Sequence, residues 1–221
     1  MMKDTQLIIF DCDGVLVDTE MIGCMVLSQR LGEAGIHVTT EECLDQFIGR
    51  SAESIRKLAE DLSGIGLPDT FVTDIRERTL AELSHGVAPT PGTHEILSML
   101  TQPVCVASSG THTKIRQSLT LSGLLPFFEP HLFSGTQVDN GKPAPDLFLY
   151  AAQQMRASPS TTIVVEDSCA GVEAAVAAGM IALGYTGGNH IRTGHAEMLH
   201  ETGATAVISH MRELPYFLAR I

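Results

Sequence analysis

The chain has 221 residues, 44% of them apolar, and a formal net charge of -12. That size suits one core of ordinary dimensions with room for a small insert, and the acidic balance argues against nucleic acid or an anionic membrane surface as a partner. The five cysteines are odd in number and form no C-x-x-C pair, which reads as reduced thiols in a cytoplasmic protein without a zinc site. The first apolar run is too short for a signal peptide, and no segment approaches a membrane span.

Leu7 to Phe10 reads as a buried strand, and it delivers two acids two residues apart, Asp11 and Asp13, followed by Gly14-Val15-Leu16-Val17-Asp18. Side chains alternate along a strand, so both carboxylates would project the same way if extended geometry held that far. Like charges ~4 Å apart repel by about 4 kcal/mol at an effective dielectric of ~20. Such a pair calls for a cation or a shared proton.

From about Met21 to Ser84 the pattern is helical. Ile55, Leu58, Ala59 and Leu62 fall at the spacing of one helix face, Thr39-Thr40-Glu41-Glu42 looks like a helix start, and Gly35 and Gly64-Ile65-Gly66 mark breaks. The stretch reads as about four short helices. Beyond Pro103, β-type runs occur at Val104 to Ala107, Leu132-Phe133, Ile163 to Val165, Ile181 to Leu183 and Ala206 to Ile208. Helical segments separate them (Thr113 to Leu121, Pro145 to Arg156, Ala170 to Ala178). This alternation predicts a parallel sheet of β-α-β units that the first strand joins. The expected organisation is an α/β core over 1–17 and 87–221, with a helical insert over 18–86 on two connections that can hinge.

Ligands bind outside the carboxyl ends of parallel strands. Besides the first pair of acids, that edge would hold Ser108-Ser109-Gly110 and Glu166-Asp167-Ser168. A lone Ser108 reads best as a helix cap. Two carboxylate pairs at one edge instead suit a hard divalent cation, Mg2+ above all. Asp167 is expected as a direct ligand, with Glu166 acting through water or from behind. Lys142, in Gly141-Lys142-Pro143, reads alone as a surface lysine before a helix. Beside the acids it could fix an anion, and the Ser108 hydroxyl with the N–H groups of Ser109 and Gly110 would complete a phosphate cradle.

Four motifs in this order (Asp11-Cys12-Asp13-Gly14-Val15-Leu16-Val17-Asp18, Ser108, Lys142-Pro143, and Glu166-Asp167-Ser168 with Ala170-Gly171) resemble the haloacid dehalogenase superfamily of phosphohydrolases. The insert after the first motif is similar to the branch with capped sugar-phosphate phosphatases and beta-phosphoglucomutases. The resemblance implies a Rossmann-like core with a mobile helical cap and an Mg2+-dependent phosphatase. In it Asp11 would be the nucleophile, Asp13 the general acid and base, and Ser108 and Lys142 the phosphate binders. Asp11, the Asp13 carbonyl and Asp167 would hold Mg2+. The partner implied is a small phosphorylated metabolite, a sugar or sugar-acid phosphate such as 6-phosphogluconate, acted on by a monomer or weak homodimer.

Arg50, beside Gly49 in a helix-to-helix loop, is the expected cap contact to the substrate, with His112 a further candidate near the phosphate loop. Arg56, Lys57, Arg76 and Arg78 read as solvated, paired with Glu53, Glu60, Asp74 and Glu82, and His94, His131 and His190 as surface or loop residues. A mutase is the nearest alternative. Mutases of this likeness carry a cap histidine where this chain has Gly23, and an arginine where it has Ser51 and Ala52, so both departures favour a phosphatase. A phospho-receiver switch would also gather acids, a hydroxyl and a lysine, but it needs neither the insert nor so long a chain.

Overall fold

The computed structural model describes residues 5–220; the first four residues and the last one of the core assigned from sequence lie outside them. Six parallel strands form one sheet in the order β3-β2-β1-β4-β5-β6. They are β1 (Leu7–Phe10), β2 (Val104–Ser108), β3 (Leu132–Ser134), β4 (Thr162–Glu166), β5 (Ile181–Tyr185) and β6 (Ala206–Ile208). Strand β1 is central, with Phe10 in register with Val106 on one side and Val165 on the other. After β1 the chain builds outward through β2 and β3, then returns to place β4 on the opposite flank. The carboxyl ends of β1 and β4 therefore frame the crevice where the strand order reverses.

Alternate residues feed two cores. Ile8, Phe10, Val106, Ile163 and Val165 pack on one face, and Leu7, Ile9, Cys105, Ala107 and Val164 on the other. Helices cover both faces, so the strands read as continuous apolar runs. The flanking helices are α5 (Thr93–Met99), α6 (His112–Leu121), α7 (Leu125–Phe128), α8 (Asp146–Gln154), α9 (Cys169–Ala177), α10 (His195–Thr202) and α11 (Leu214–Leu218).

Between β1 and α5 lie α1 (Glu20–Glu33), α2 (Thr40–Phe47), α3 (Ala52–Ser63) and α4 (Phe71–Leu83). They bury a third cluster of their own, including Leu27, Leu31, Cys43, Phe47 and Phe71. Thr39 starts α2 through a capping box with Glu42, as its sequence suggests. On α3, Ala59 is buried with Ile55 and Leu58 packed beside it. Leu62, expected on the same face, is 66% exposed: two turns beyond Ile55, the stripe has run past the cluster into the last turn before Gly64. The two connections to this insert lie side by side, Asp18 N donating to Ala88 O at 3.1 Å and Thr90 N to Leu16 O at 3.0 Å. No described helix is long and apolar enough to cross a membrane.

Candidate active site

Strand β1 stops at Phe10, and the chain turns within Asp11 to Val17. Gly14 makes that turn possible: its φ is +76°, and a Cβ there would fall 2.0 Å from Asp167 Oδ2. Asp11, Asp13 and Asp167 are buried at this edge, 6%, 7% and 2% exposed. Lys142 reaches them from the loop before α8 and is itself 2% exposed, beside the acids rather than on the surface where its local sequence alone would put it. Its Nζ donates to Asp11 Oδ1 and to Glu166 Oε1, each at 2.5 Å, and lies 4.8 Å from the centre of the Phe148 ring. The second Glu166 oxygen accepts from Ser168 N and Oγ, both at 2.9 Å. Glu166 thus acts on Lys142 rather than alongside the Asp167 carboxylate, as strand alternation requires.

Asp13 has partners that sequence patterning did not point to. Lys114 Nζ lies 2.8 Å from Asp13 Oδ1, and the Thr19 hydroxyl donates to the same oxygen. Lys114 sits one turn into α6, whose N-cap Thr111 accepts from Lys114 N. A lysine one turn after a Ser-Ser-Gly loop was the available signal. His190 lies in a loop, one of the two places expected for it, but it is not on the surface: it is 4% exposed, its Nε2 2.8 Å from Asp167 Oδ2. Gly188 leaves room for the imidazole, since a Cβ there would fall 2.6 Å from its Cε1. His112 is exposed at the start of α6, outside the cleft lining.

The charges explain one another. Burial, then the carboxylates of Glu166, Asp167 and Asp13, raise the Asp11 pKa well above its ordinary value despite Lys142. Burial would also raise Asp13, but the Lys114 charge and the hydrogen bonds from Lys114 and Thr19 bring it below its usual value. Burial alone would depress Lys142, yet Asp11 and Glu166 hold it charged, above its ordinary range. Four crowded carboxylates still outnumber the two lysines.

That surplus is one test of whether a cation fits. Another is Asp167, a carboxylate 2% exposed with His190 Nε2 against Oδ2 at 2.8 Å, which leaves its second oxygen for a cation. No cluster of three His, Cys, Asp or Glu side chains that could hold a metal occurs among the described residues. The ligand set that the resemblance implies, Asp11, Asp167 and the backbone carbonyl of Asp13, draws on only two carboxylates and would leave water to complete the shell. Few carboxylates and several waters suit Mg2+, so the donor set fits.

Ser108 is 1% exposed at the end of β2 and accepts from Gly110 N at 3.2 Å. The Ser134 hydroxyl fixes that loop by donating to Gly110 O at 2.6 Å. A cavity of about 140 Å³ runs from Asp11, Asp13 and Ser108 up to Arg50, Arg76 and Glu20 of the insert. The insert rests on the core: the Ser109 hydroxyl donates to Gly49 O at 3.0 Å, and a Cβ on Gly49 would fall 2.4 Å from Ser168 Oγ. Arg76 pairs with Glu53 and Arg56 with Glu60, both among the acids expected to partner these cations, but Arg78 pairs with Glu33, which is outside that set. Helix α1 presents Glu33 across to α4, where an i,i+4 partner would have to come from the same helix. Arg76 also lines the cavity, a role that a solvated, paired arginine does not include.

Glu20, likewise unforeseen, is pushed up to about 7 by burial and then by the charges of Asp13 and Asp167. The native state therefore holds a proton there between pH 4.5 and 7 that the unfolded chain has released. Stability from this group is full below that window and falls as pH rises through it. In metal-free buffer at pH 8, Glu20→Gln should melt above wild type by several degrees, an effect of up to ~3 kcal/mol, and at pH 4 the two should coincide. An equal offset at both pH values would assign the effect elsewhere.

The chain matches the family described as haloacid dehalogenase-like hydrolase over residues 8–184. It belongs to that family. It is 32% identical over 180 residues to the 6-phosphogluconate phosphatase of Escherichia coli K12, covering 81% of each chain. It is also 30% identical to a phosphorylated carbohydrates phosphatase of Thermotoga maritima, over 91% of this chain and 93% of that one. Among solved structures, a haloacid dehalogenase-like protein of unknown function from Agrobacterium tumefaciens superimposes with a TM-score of 0.83 at 39% identity, covering 97% of both chains. The protein is thus a hydrolase, with named phosphatases among its relatives.

Proposed function

We propose that the protein is an Mg2+-dependent phosphatase that hydrolyses a small phosphorylated sugar or sugar acid through a phosphorylated Asp11. The observation that carries this reading is the Asp11 carboxylate, held by Lys142 at the end of the central strand and facing the cavity beneath the insert. A phosphate dianion placed there meets the Ser108 hydroxyl, the N–H groups of Ser109 and Gly110, and the Lys142 ammonium. Asp11 attacks phosphorus in line with the leaving oxygen, so an acyl phosphate forms as the ester bond breaks. Asp13 gives a proton to that oxygen. It then takes one from the water that cleaves the acyl phosphate. Lys114 and Thr19 keep Asp13 ionised at rest, and an incoming dianion competes for Lys114 and raises Asp13 toward protonation. When bound by Asp11, the Asp13 carbonyl and Asp167, Mg2+ supplies the positive charge that lets a dianion approach these carboxylates.

Specificity falls to the insert, which acts as a cap over the leaving group. Arg50 and Arg76 place positive charge in the cavity and Glu20 a hydrogen-bonding carboxyl, a set suited to a hydroxylated or carboxylated leaving group. The names of the two relatives support this class, 6-phosphogluconate included. Gly23 lines the same cavity, so no imidazole stands where the similar mutases carry one. Phosphate release from a panel of phosphorylated sugars, sugar acids, polyols and nucleotides tests the proposal. It expects sugar-type substrates to lead and chelation of Mg2+ to stop turnover; no release from any member would contradict it.

Arg50→Ala should lower kcat/KM for the preferred sugar phosphate about 10-fold, the loss of one charge-assisted contact, and spare p-nitrophenyl phosphate. Equal losses on both substrates would remove Arg50 from recognition of the leaving group.

A further inference from the structure

The segment after β5 touches both the Asp167 carboxylate and the cap, and none of the roles above uses it. His190 Nε2 lies 2.8 Å from Asp167 Oδ2, and both ring nitrogens are buried. The ring is wedged between two stretches of backbone: a Cβ at Gly14 would fall 2.7 Å from its Cε1, and one at Gly188 2.6 Å. His195 Nε2 lies 2.5 Å from the backbone oxygen of the same Asp167. On this segment Asn189 donates from its backbone and side chain to Asp18, where the chain enters the cap. Arg192 Nη1 meets both oxygens of Asp45 on α2, at 3.1 and 3.2 Å.

From these contacts we infer that residues 187–195 form a strap in which His190 is a positioning residue for Asp167, tying that carboxylate to the seating of the cap. The inference rests on the reading that Asp167 holds a cation. Mg2+ demands near-octahedral geometry at short distances, so a carboxylate free to rotate binds it poorly. A ring fixed against one oxygen selects the orientation and leaves the other oxygen for the cation, as outer partners of metal ligands do. Two attachments to the cap, at Asp18 and Asp45, make that orientation depend on where the cap sits.

Calorimetric titration of Mg2+ into the metal-free full chain, without substrate, separates the two layers. A wild-type protein that binds no Mg2+ overturns the metal reading and this inference with it. Given binding by wild type, His190→Leu should weaken it about 10- to 100-fold, with His190→Asn, too short to reach Asp167, as a second test where the apolar variant does not fold. His190→Gln, which restores a donor within reach, should recover most of the loss. Excess Mg2+ should return kcat of the weakened variants with KM for substrate unchanged, a rescue that general structural damage would not show. Wild-type Mg2+ affinity in folded His190→Leu or His190→Asn overturns the positioning role. The double variant Asp18→Ala with Arg192→Ala removes both acceptors of Asn189 and the pair with Asp45, and should weaken Mg2+ binding a few-fold; unchanged affinity there overturns the coupling.

Discussion

Asp11→Asn should yield a folded protein whose kcat falls by at least about 10⁴-fold, on the scale seen when a nucleophile that works as part of a unit is removed. An amide is nearly the same size as the carboxylate but does not attack phosphorus. Its removal costs the fold little, because burial and three neighbouring carboxylates already oppose the Asp11 charge, and Lys142 keeps Glu166 as a partner at 2.5 Å. Relief of that repulsion offsets the lost bond to Lys142. The melting temperature should therefore stay within a few degrees of wild type, and a phosphate-release assay on the same preparation reads the chemistry. Wild-type turnover in Asp11→Asn would remove the nucleophile assignment.

Lys142→Met should instead strike activity and stability together. The ammonium is 2% exposed and bridges two buried carboxylates, so an apolar chain of similar length leaves both unpaired. Removing one partner from such a cluster costs about 3–5 kcal/mol, or roughly 10 °C in melting temperature for a chain of this size. The substrate dianion also loses its buried cation, so kcat/KM should fall by about 10³-fold. Asp11 and Glu166 both have pKa values raised first by burial, and without Lys142 they take up protons more readily still. The melting gap between variant and wild type should accordingly narrow from pH 8 to pH 5. A variant that melts with wild type at both pH values and keeps its kcat/KM would show that Lys142 is neither the bridge nor the phosphate binder.

The parts of this site legible in sequence are those carried by strand ends. An apolar run that stops in acids or hydroxyls announces both a strand and its functional edge, which is why the amino-acid order alone brings Asp11, Ser108 and Asp167 together. The residues that escape such a reading reach the site by tertiary routes. Lys114 arrives from the first turn of α6 and His190 from an irregular loop beyond β5, where no periodicity marks the direction of a side chain. Glu20 opens α1 and reads as an ordinary acid in a first helical turn; only the fold shows that this turn looks down on Asp13. The same limit explains Leu62 and Arg78. Helical spacing says which residues share a face, but which neighbour lies opposite, and where it ends, is decided by packing between helices.

The central claim is that phosphate passes through a covalent bond to Asp11, and the most direct measurement is to catch that bond. Wild-type protein mixed with Mg2+ and a good sugar-phosphate substrate, quenched in acid within the first turnover and digested, should yield the Leu7 to Asp18 peptide carrying one phosphoryl group on Asp11, with none in Asp11→Asn. Phosphate released at full rate with that peptide unmodified at every quench time, or modified at another residue, would contradict the account.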